Sequence, residues 1–428
     1  MRVLVIGSGG REHALVWRLR KSPRVQTIFC VPGNGGIERD ARCVPLSPLD
    51  NHGLEILARK ERIDFTIVGP EVPLAAGLVD HFVDKAIPII GPTQSGARLE
   101  SSKVFAKEFM VRHHIPTAGF STHRDPQKAM AQLGSEDTSY PIVVKADGLA
   151  GGKGVVVART PEEAGDAIQR MMVDREFGAA GEQIILEEHL VGTEASFIVF
   201  TDGNTILPAV AARDHKAVYD GDEGPNTGGM GAYSAEMILP RDLQQKILEQ
   251  IVRPVIQGMK AEGIPFQGIL YTGLMLTPEG PKVLEFNVRM GDPEAQVILP
   301  RLQSDFSSLC EALCARRLED YKASWKSAPA VCVVLASGGY PGPYSKGEVI
   351  TGLEMAEEDP RIAIFHAGTR HENGRFLTDG GRVLGVTSLA GDLASAVMSA
   401  YEAVNKIRFK GMHYRRDIGA KALPATTY

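Results

Sequence analysis

Val283-Leu284-Glu285-Phe286-Asn287-Val288-Arg289-Met290, followed by Gly291-Asp292-Pro293-Glu294, is the most informative stretch of this 428-residue chain. Read as a strand, its successive side chains point to opposite faces. Glu285, Asn287 and Arg289 then share one face, and Leu284, Phe286, Val288 and Met290 share the other. The apolar face can pack. The polar face offers a carboxylate, an amide oxygen and a guanidinium in a row. Hard oxygens suit Mg²⁺, and a guanidinium suits a phosphate. The row therefore reads as half of a nucleoside triphosphate site. The plainer alternative is a solvated sheet face, but such faces usually carry Lys, Thr and Ser rather than this row ahead of Gly-Asp-Pro-Glu.

Working outward, the length is enough for about three domains, each with its own core. A hydrophobic content of 43% and a charged content of 23% are ordinary for a globular protein. The net charge is -5 and no long basic run occurs, so nucleic acid is not an expected partner. The opening Met1-Arg2-Val3-Leu4-Val5-Ile6-Gly7 is too short a run for a signal peptide and reads as a first strand. No stretch reaches the roughly 18 apolar residues of a membrane span. The cysteines, Cys30, Cys43, Cys310, Cys314 and Cys332, are odd in number and form no CxxC pair. Cys310 and Cys314 lie one helical turn apart and read as core thiols. A reducing cytoplasm is expected.

Residues 1–92 alternate short β-branched runs (3–6, 27–31, 65–68 and 87–90) with amphipathic segments near 12–21, 51–61 and 73–85. This is the rhythm of a doubly wound parallel α/β sheet, which binds ligands at the C-terminal strand edges. Residues 94–113 read as one helix. A compact insert at 121–188 holds three strands, a Gly-rich turn and a helix. Two strands over 194–213, a Gly-dense loop at 220–231, a helix near 240–262, strands at 268–276 and 281–290 and a helix at 304–318 follow. A separate unit begins near 326, with strands near 330–336, 362–366 and 382–387 and a helix at 390–406.

Gly7-Ser8-Gly9-Gly10-Arg11-Glu12-His13 follows the first strand, but the dinucleotide fingerprint requires glycine where Glu12 stands. What remains fits either an anion pocket at a helix N-terminus or a tight turn alone. Lys145-Ala146-Asp147-Gly148-Leu149-Ala150-Gly151-Gly152-Lys153-Gly154 carries more weight. Glycines let backbone N–H groups turn toward phosphate oxygens, and the lysines neutralise charge. The Walker pattern is absent. A mobile hairpin with solvated lysines is the alternative, but Lys145 ends an apolar strand. Glu187 and Glu188, with Glu194 shortly after, are a weak signal alone. The loop at Asp220 fails the calcium-hand pattern, with Pro225 and Gly231 at its key positions. His215 reads as structural.

Together these residues resemble the ATP-grasp carboxylate–amine ligases and, within them, the glycinamide ribonucleotide synthetases of purine biosynthesis. The resemblance runs from residue 1 to about residue 419. It is carried by GSGGREHAL at 7–15, VGPEVPL at 68–74, KADGLAGGKGV at 145–155, DHK at 214–216, GPNTGGMGAYS at 224–234 and EFNVRMGDPE at 285–294. It implies an N-terminal α/β substrate domain (1–100), an ATP-grasp domain (101–325, with a lid at 121–188) and a C-terminal α/β domain (326–428) that completes the cleft. It implies that ATP, glycine and 5-phosphoribosylamine are the small-molecule substrates, with no membrane partner and a monomeric or weakly self-associating chain.

By the same resemblance Glu285 and Asn287 hold Mg²⁺ or Mn²⁺. Lys103 and Lys145 contact the nucleotide phosphates, and Gly151, Gly152 and Lys153 close over them. Glu187, Glu188 and Leu190 line the adenine site, and Glu194 faces the ribose. Arg289 steadies the transferred phosphoryl group, Asp214 lies near glycine and the amine, and Gly9, Gly10 and Arg11 are candidates for the sugar phosphate. Arg289, Lys145 and Asp214 are the expected catalytic residues. One departure stands out. The strand before the row, Leu270-Tyr271-Thr272-Gly273-Leu274-Met275, lacks the extra metal-binding acid many ATP-grasp enzymes carry. The alternatives are an ATP-grasp ligase for another carboxylate, a nicotinamide oxidoreductase, which Glu12 disfavours, and a non-catalytic binding protein. No second enzyme is expected to be fused to the chain.

Overall fold

A computed structural model describes residues 1–136, 138–151 and 154–423. The apolar runs of the first segment form one parallel five-stranded sheet. Its order is Arg42–Cys43, Thr27–Pro32, Arg2–Gly7, Phe65–Val68, Ile89–Ile90. The short Arg42–Cys43 strand carries no apolar signal of its own and was not expected. The chain winds to one side of Arg2–Gly7 first and to the other side afterwards. The crevice between the ends of Arg2–Gly7 and Phe65–Val68 is therefore a topological switch point, where such sheets place ligands. The loops at 7–10 and 69–71 lie there.

The helix expected over 94–113 is two helices, Gln94–Ser101 and Lys103–Arg112. Ser102 breaks it. Its backbone is extended (φ -138°, ψ 107°) and its hydroxyl accepts from Phe105 N–H as an N-cap. Asp147 of the Gly-rich segment accepts from Val104 N–H at 2.7 Å, so the loop is tied to this second helix start.

The insert forms an antiparallel sheet ordered Phe120–His123, Ile184–Glu188, Ile142–Ala146, Val155–Ala158. Helices Pro126–Leu133 and Pro161–Ile168 cover one face, giving the insert its own small core around Val144, Ala164, Ile168 and Leu186. The central sheet is also antiparallel, ordered Ile206–Pro208, Thr193–Thr201, Gly268–Thr277, Gly280–Asn287.

The alternation expected over 283–290 is interrupted once. Gly273 pairs with Glu285, but Leu274 pairs with Val283, so Leu284 is an extra residue in the strand. Val283 and Phe286 are both buried while Leu284 is half-buried, which removes Leu284 from the apolar face. The bulge also frees Leu284's carbonyl from the ladder, and Lys145 Nζ donates to it at 3.3 Å.

A five-stranded sheet, ordered Arg213–Asp214, Gly231–Ser234, Ala330–Ala336, Arg382–Leu389, Ile362–His366, crosses the position where a separate unit was expected to begin. Its two upstream strands flank the Gly-dense loop, so that loop hangs from the C-terminal sheet. Among the described residues all five cysteines are unpaired, and no helix is long and apolar enough to cross a membrane.

Candidate active site

The polar row faces the switch-point crevice. Arg289 is held from several sides. Its Nη2 lies 2.6 Å from Glu100 Oε1 and its Nε 3.3 Å from Glu71 Oε2, while Nη1 donates to Met290 O at 3.2 Å. Nη2 also donates to Asn287 Oδ1 at 3.2 Å. Glu100 further accepts from Val288 N–H at 2.7 Å. Glu71 and Glu100 were missed from the sequence, although Glu71 stands inside the VGPEVPL motif. Both are far from Arg289 along the chain, and only packing brings them to it.

Glu285 is the carboxylate of the row. Burial works against its charge, but Lys216, Lys145, Lys103 and Arg289 outweigh burial and hold its carboxyl below the usual range. Glu285 and Asn287 together present two hard oxygens, a donor set that fits Mg²⁺ or Mn²⁺.

Opposite them stand the lysines of the lid side. Lys103 Nζ donates to Gly148 O at 3.1 Å, and its backbone N–H donates to Asp147 O at 3.0 Å. Lys145 Nζ lies 2.6 Å from Glu187 Oε2. The other oxygen, Oε1, lies 2.6 Å from Lys107 Nζ. Glu187 is thus a buried link between two lysines. Glu188 accepts from Gly119 N–H at 3.1 Å, and Leu190 is buried beyond it. Gly151 has a φ of +58°, which favours glycine, with open space around it. Gly152 and Lys153 lie outside the described residues.

A second cluster lies beside Glu285. Lys216 Nζ is 3.3 Å from Glu194 Oε2 and 3.8 Å from Glu285 Oε1. Burial pushes the Asp214 carboxyl up to about 8. Lys216 opposes this, and Glu294, Glu194 and Glu285 reinforce it. Glu294 Oε1 accepts from Tyr271 Oη at 3.0 Å and from Ser196 Oγ at 3.1 Å. Lys216 and Glu294 sit inside the DHK and EFNVRMGDPE motifs but were not singled out. Tyr271 occupies the strand that lacks an acid, and its hydroxyl instead binds one supplied by the following loop.

The sugar-phosphate candidates divide. Gly9 and Gly10 stand at the switch-point end of the first strand, and a Cβ on Gly10 would lie 2.6 Å from Gln296 Nε2, a contact that a shift of that side-chain tip would relieve. Arg11, however, is buried, with Nε 2.6 Å from Glu12 Oε1 and Nη1 donating to Met290 O at 3.1 Å. Glu12 Oε2 accepts from Gly9 N–H at 2.5 Å. In this structure Arg11 ties the first domain to the end of the polar row. Glu12, which breaks the dinucleotide pattern, takes the acceptor position at Gly9 N–H that an anion would otherwise take.

Family profiles cover most of the chain. The phosphoribosylglycinamide synthetase N domain matches residues 1–100, its ATP-grasp (A) domain residues 101–295 and its C domain residues 330–421. The chain belongs to the phosphoribosylglycinamide synthetase family. Among relatives, the phosphoribosylamine–glycine ligase of Vibrio vulnificus is 47% identical over 426 residues, covering 99% of each chain. The crystal structure of the phosphoribosylamine–glycine ligase of Thermotoga maritima is similar with a TM-score of 0.84 at 33% identity, over 98% of this chain and 100% of that one. The biotin carboxylase domain of Hydrogenobacter thermophilus 2-oxoglutarate carboxylase shares the fold, with a TM-score of 0.70 at 18% identity over 96% of this chain and 91% of that one.

Proposed function

We propose that the chain is an ATP-dependent ligase that forms a C–N bond between glycine and 5-phosphoribosylamine. The products are glycinamide ribonucleotide, ADP and phosphate, a step of purine biosynthesis. The observation that carries this is the Glu285–Asn287–Arg289 row, facing Lys103 and Lys145 at a switch-point crevice in a chain of this family.

A carboxylate is a poor electrophile toward an amine. Transfer of the γ-phosphoryl group of ATP to the carboxylate of glycine makes an acyl phosphate, and attack by the sugar's amine then expels phosphate. Catalysis of the first step is mainly positioning and charge neutralisation. Lys103 and Lys145 meet the nucleotide phosphates, and Arg289, immobilised through Nε and Nη2 by Glu71 and Glu100, turns the remaining N–H of Nη1 to the transferred group. Glu285 and Asn287 would hold Mg²⁺ or Mn²⁺, whose contribution is to neutralise phosphate charge. The backbone beside Glu188 and Leu190 borders adenine, and Glu194 borders the ribose. Asp214 and Glu294 form an acidic wall that favours an ammonium group. Gly9 and Gly10 let the sugar phosphate approach the crevice floor. The unpaired cysteines support a reducing, cytoplasmic setting.

The test is phosphate release from MgATP with glycine, with and without phosphoribosylamine generated in the assay. Release that needs both substrates, with a product of the mass of glycinamide ribonucleotide, is the expected result. Release only with a different carboxylate or amine would retain the ATP-grasp chemistry and overturn the substrate assignment.

A further inference from the structure

Lys107 has no part in the roles above, yet it is 2% exposed beside the nucleotide side of the cleft. Its Nζ lies 2.6 Å from Glu187 Oε1 and donates to Thr117 Oγ1 at 2.6 Å. Glu187, also 2% exposed, gives its second oxygen to Lys145, which is 8% exposed, at 2.6 Å. Three charged side chains are therefore withdrawn from water in one chain of contacts, two positive and one negative. A buried charge left uncompensated is costly, and an anion beside Lys145 would complete the set. The phosphates of the nucleotide are that anion.

Both ends of the chain reach the polar row. Thr117 Oγ1 donates to Val283 O at 2.7 Å, and Lys145 Nζ donates to Leu284 O at 3.3 Å, the carbonyl freed by the bulge before Glu285. The contacts thus join helix Lys103–Arg112, the segment entering the lid, two lid strands and the strand that carries Glu285. Without Lys107, both oxygens of Glu187 would turn to Lys145. The resulting neutral pair attracts a phosphate far less than a cation does.

We propose that Lys107 is a positioning residue for nucleotide binding. By occupying one oxygen of Glu187 it leaves the charge of Lys145 available to the phosphates, and through Thr117 it fixes the lid hinge to the Glu285 strand. This role rests on the nucleotide assignment above.

The experiment is calorimetric titration of MgADP into the full-length protein, as wild type, Lys107→Met and the double variant Lys107→Met/Glu187→Gln. Lys107→Met should raise the Kd about tenfold, the size of one coupling between neighbouring charges. The double variant should return to within about threefold of wild type, because the uncharged amide that replaces the Glu187 carboxylate no longer neutralises Lys145. A merely structural role would not produce that rescue. The KM for glycine should change less than about twofold in both. Failure of the wild type to bind MgADP would overturn the nucleotide assignment itself. Wild-type binding, with a folded Lys107→Met that binds equally well or a double variant as weak as the single, would overturn the role of Lys107 alone. Should Lys107→Met not fold, Lys107→Arg and the double variant carry the comparison. Affinity within about threefold of wild type in both supports the role, and a tenfold loss in either overturns it.

Discussion

Arg382 Nη2 lies 2.8 Å from Asp292 Oδ2, so a strand of the C-terminal sheet grips the loop that directly follows the polar row. The same guanidinium donates to Asp292 O at 2.7 Å and to Gly228 O at 2.5 Å. Asp292 in turn accepts from Gln296 Nε2 at 2.6 Å, beside Gly10. One side chain therefore fixes the Gly-dense loop, the Gly-Asp-Pro-Glu loop and the crevice floor relative to one another.

Arg382→Met should lower stability by about 3 kcal/mol, because it leaves the mostly buried Asp292 carboxylate unpaired. It should also raise the KM for 5-phosphoribosylamine more than that for ATP. Melting curves and steady-state kinetics check this. An unchanged KM for the sugar amine in a folded variant would separate the C-terminal sheet from the substrate cleft.

Glu285→Ala should abolish phosphate release and leave the fold intact. The side chain's nearest cation is Lys216 at 3.8 Å, which keeps Glu194 at 3.3 Å when Glu285 is gone. The readouts are turnover and a melting curve on the same preparation. An active Glu285→Ala protein would remove Glu285 from the metal site.

Arg289→Lys keeps the charge but loses the planar fork. Nε and Nη2 already serve Glu71 and Glu100 in a geometry that one ammonium cannot reproduce. A fall in kcat on the order of a hundredfold is expected from single-turnover measurements. Near-normal kinetics would count against contact between Arg289 and the transferred group.

Three buried histidines should make the protein acid-sensitive. Burial lowers the His13 pKa to about 3 and that of His215 to about 4, and drives His366 well below its ordinary value. Each stays neutral when folded but takes a proton near pH 6.5 when unfolded. Stability is then full above about pH 6.5 and falls as pH drops toward the folded values, by about 1.4 kcal/mol per pH unit for each histidine. Proton uptake on denaturant unfolding at about pH 5.5 should decrease by nearly one proton in His215→Phe. Unchanged uptake would take His215 out of this set.

Much of the architecture could be read along the chain because its signals are local. β-branched runs ending at Gly or Pro mark strands whatever their neighbours are, and the first domain's strands and the polar row emerged that way. Glu285, Asn287, Arg289 and Lys145 were singled out by motif chemistry in the same manner, and Lys103 only by resemblance. Ser102 also carried a local signal, a capping hydroxyl before a new helical turn, and the reading of 94–113 as one continuous helix masked it.

Other features had no local signal. Leu284 leaves the apolar face because Gly273 and Leu274 on the neighbouring strand pair around it, and register belongs to two strands together. Arg11 looked like an anion ligand until packing set it against Glu12 and Met290. The carboxylate of Glu187 gave no sign along the chain that it would stand between Lys107 and Lys145. The partners Glu71, Glu100 and Arg382 lie far along the chain from the groups they hold. Periodicity and turn chemistry act over a few residues and are written in consecutive positions. Which charge meets which is decided by the packing of whole sheets, so only the tertiary structure shows which side chains are committed to one another and which face the substrates.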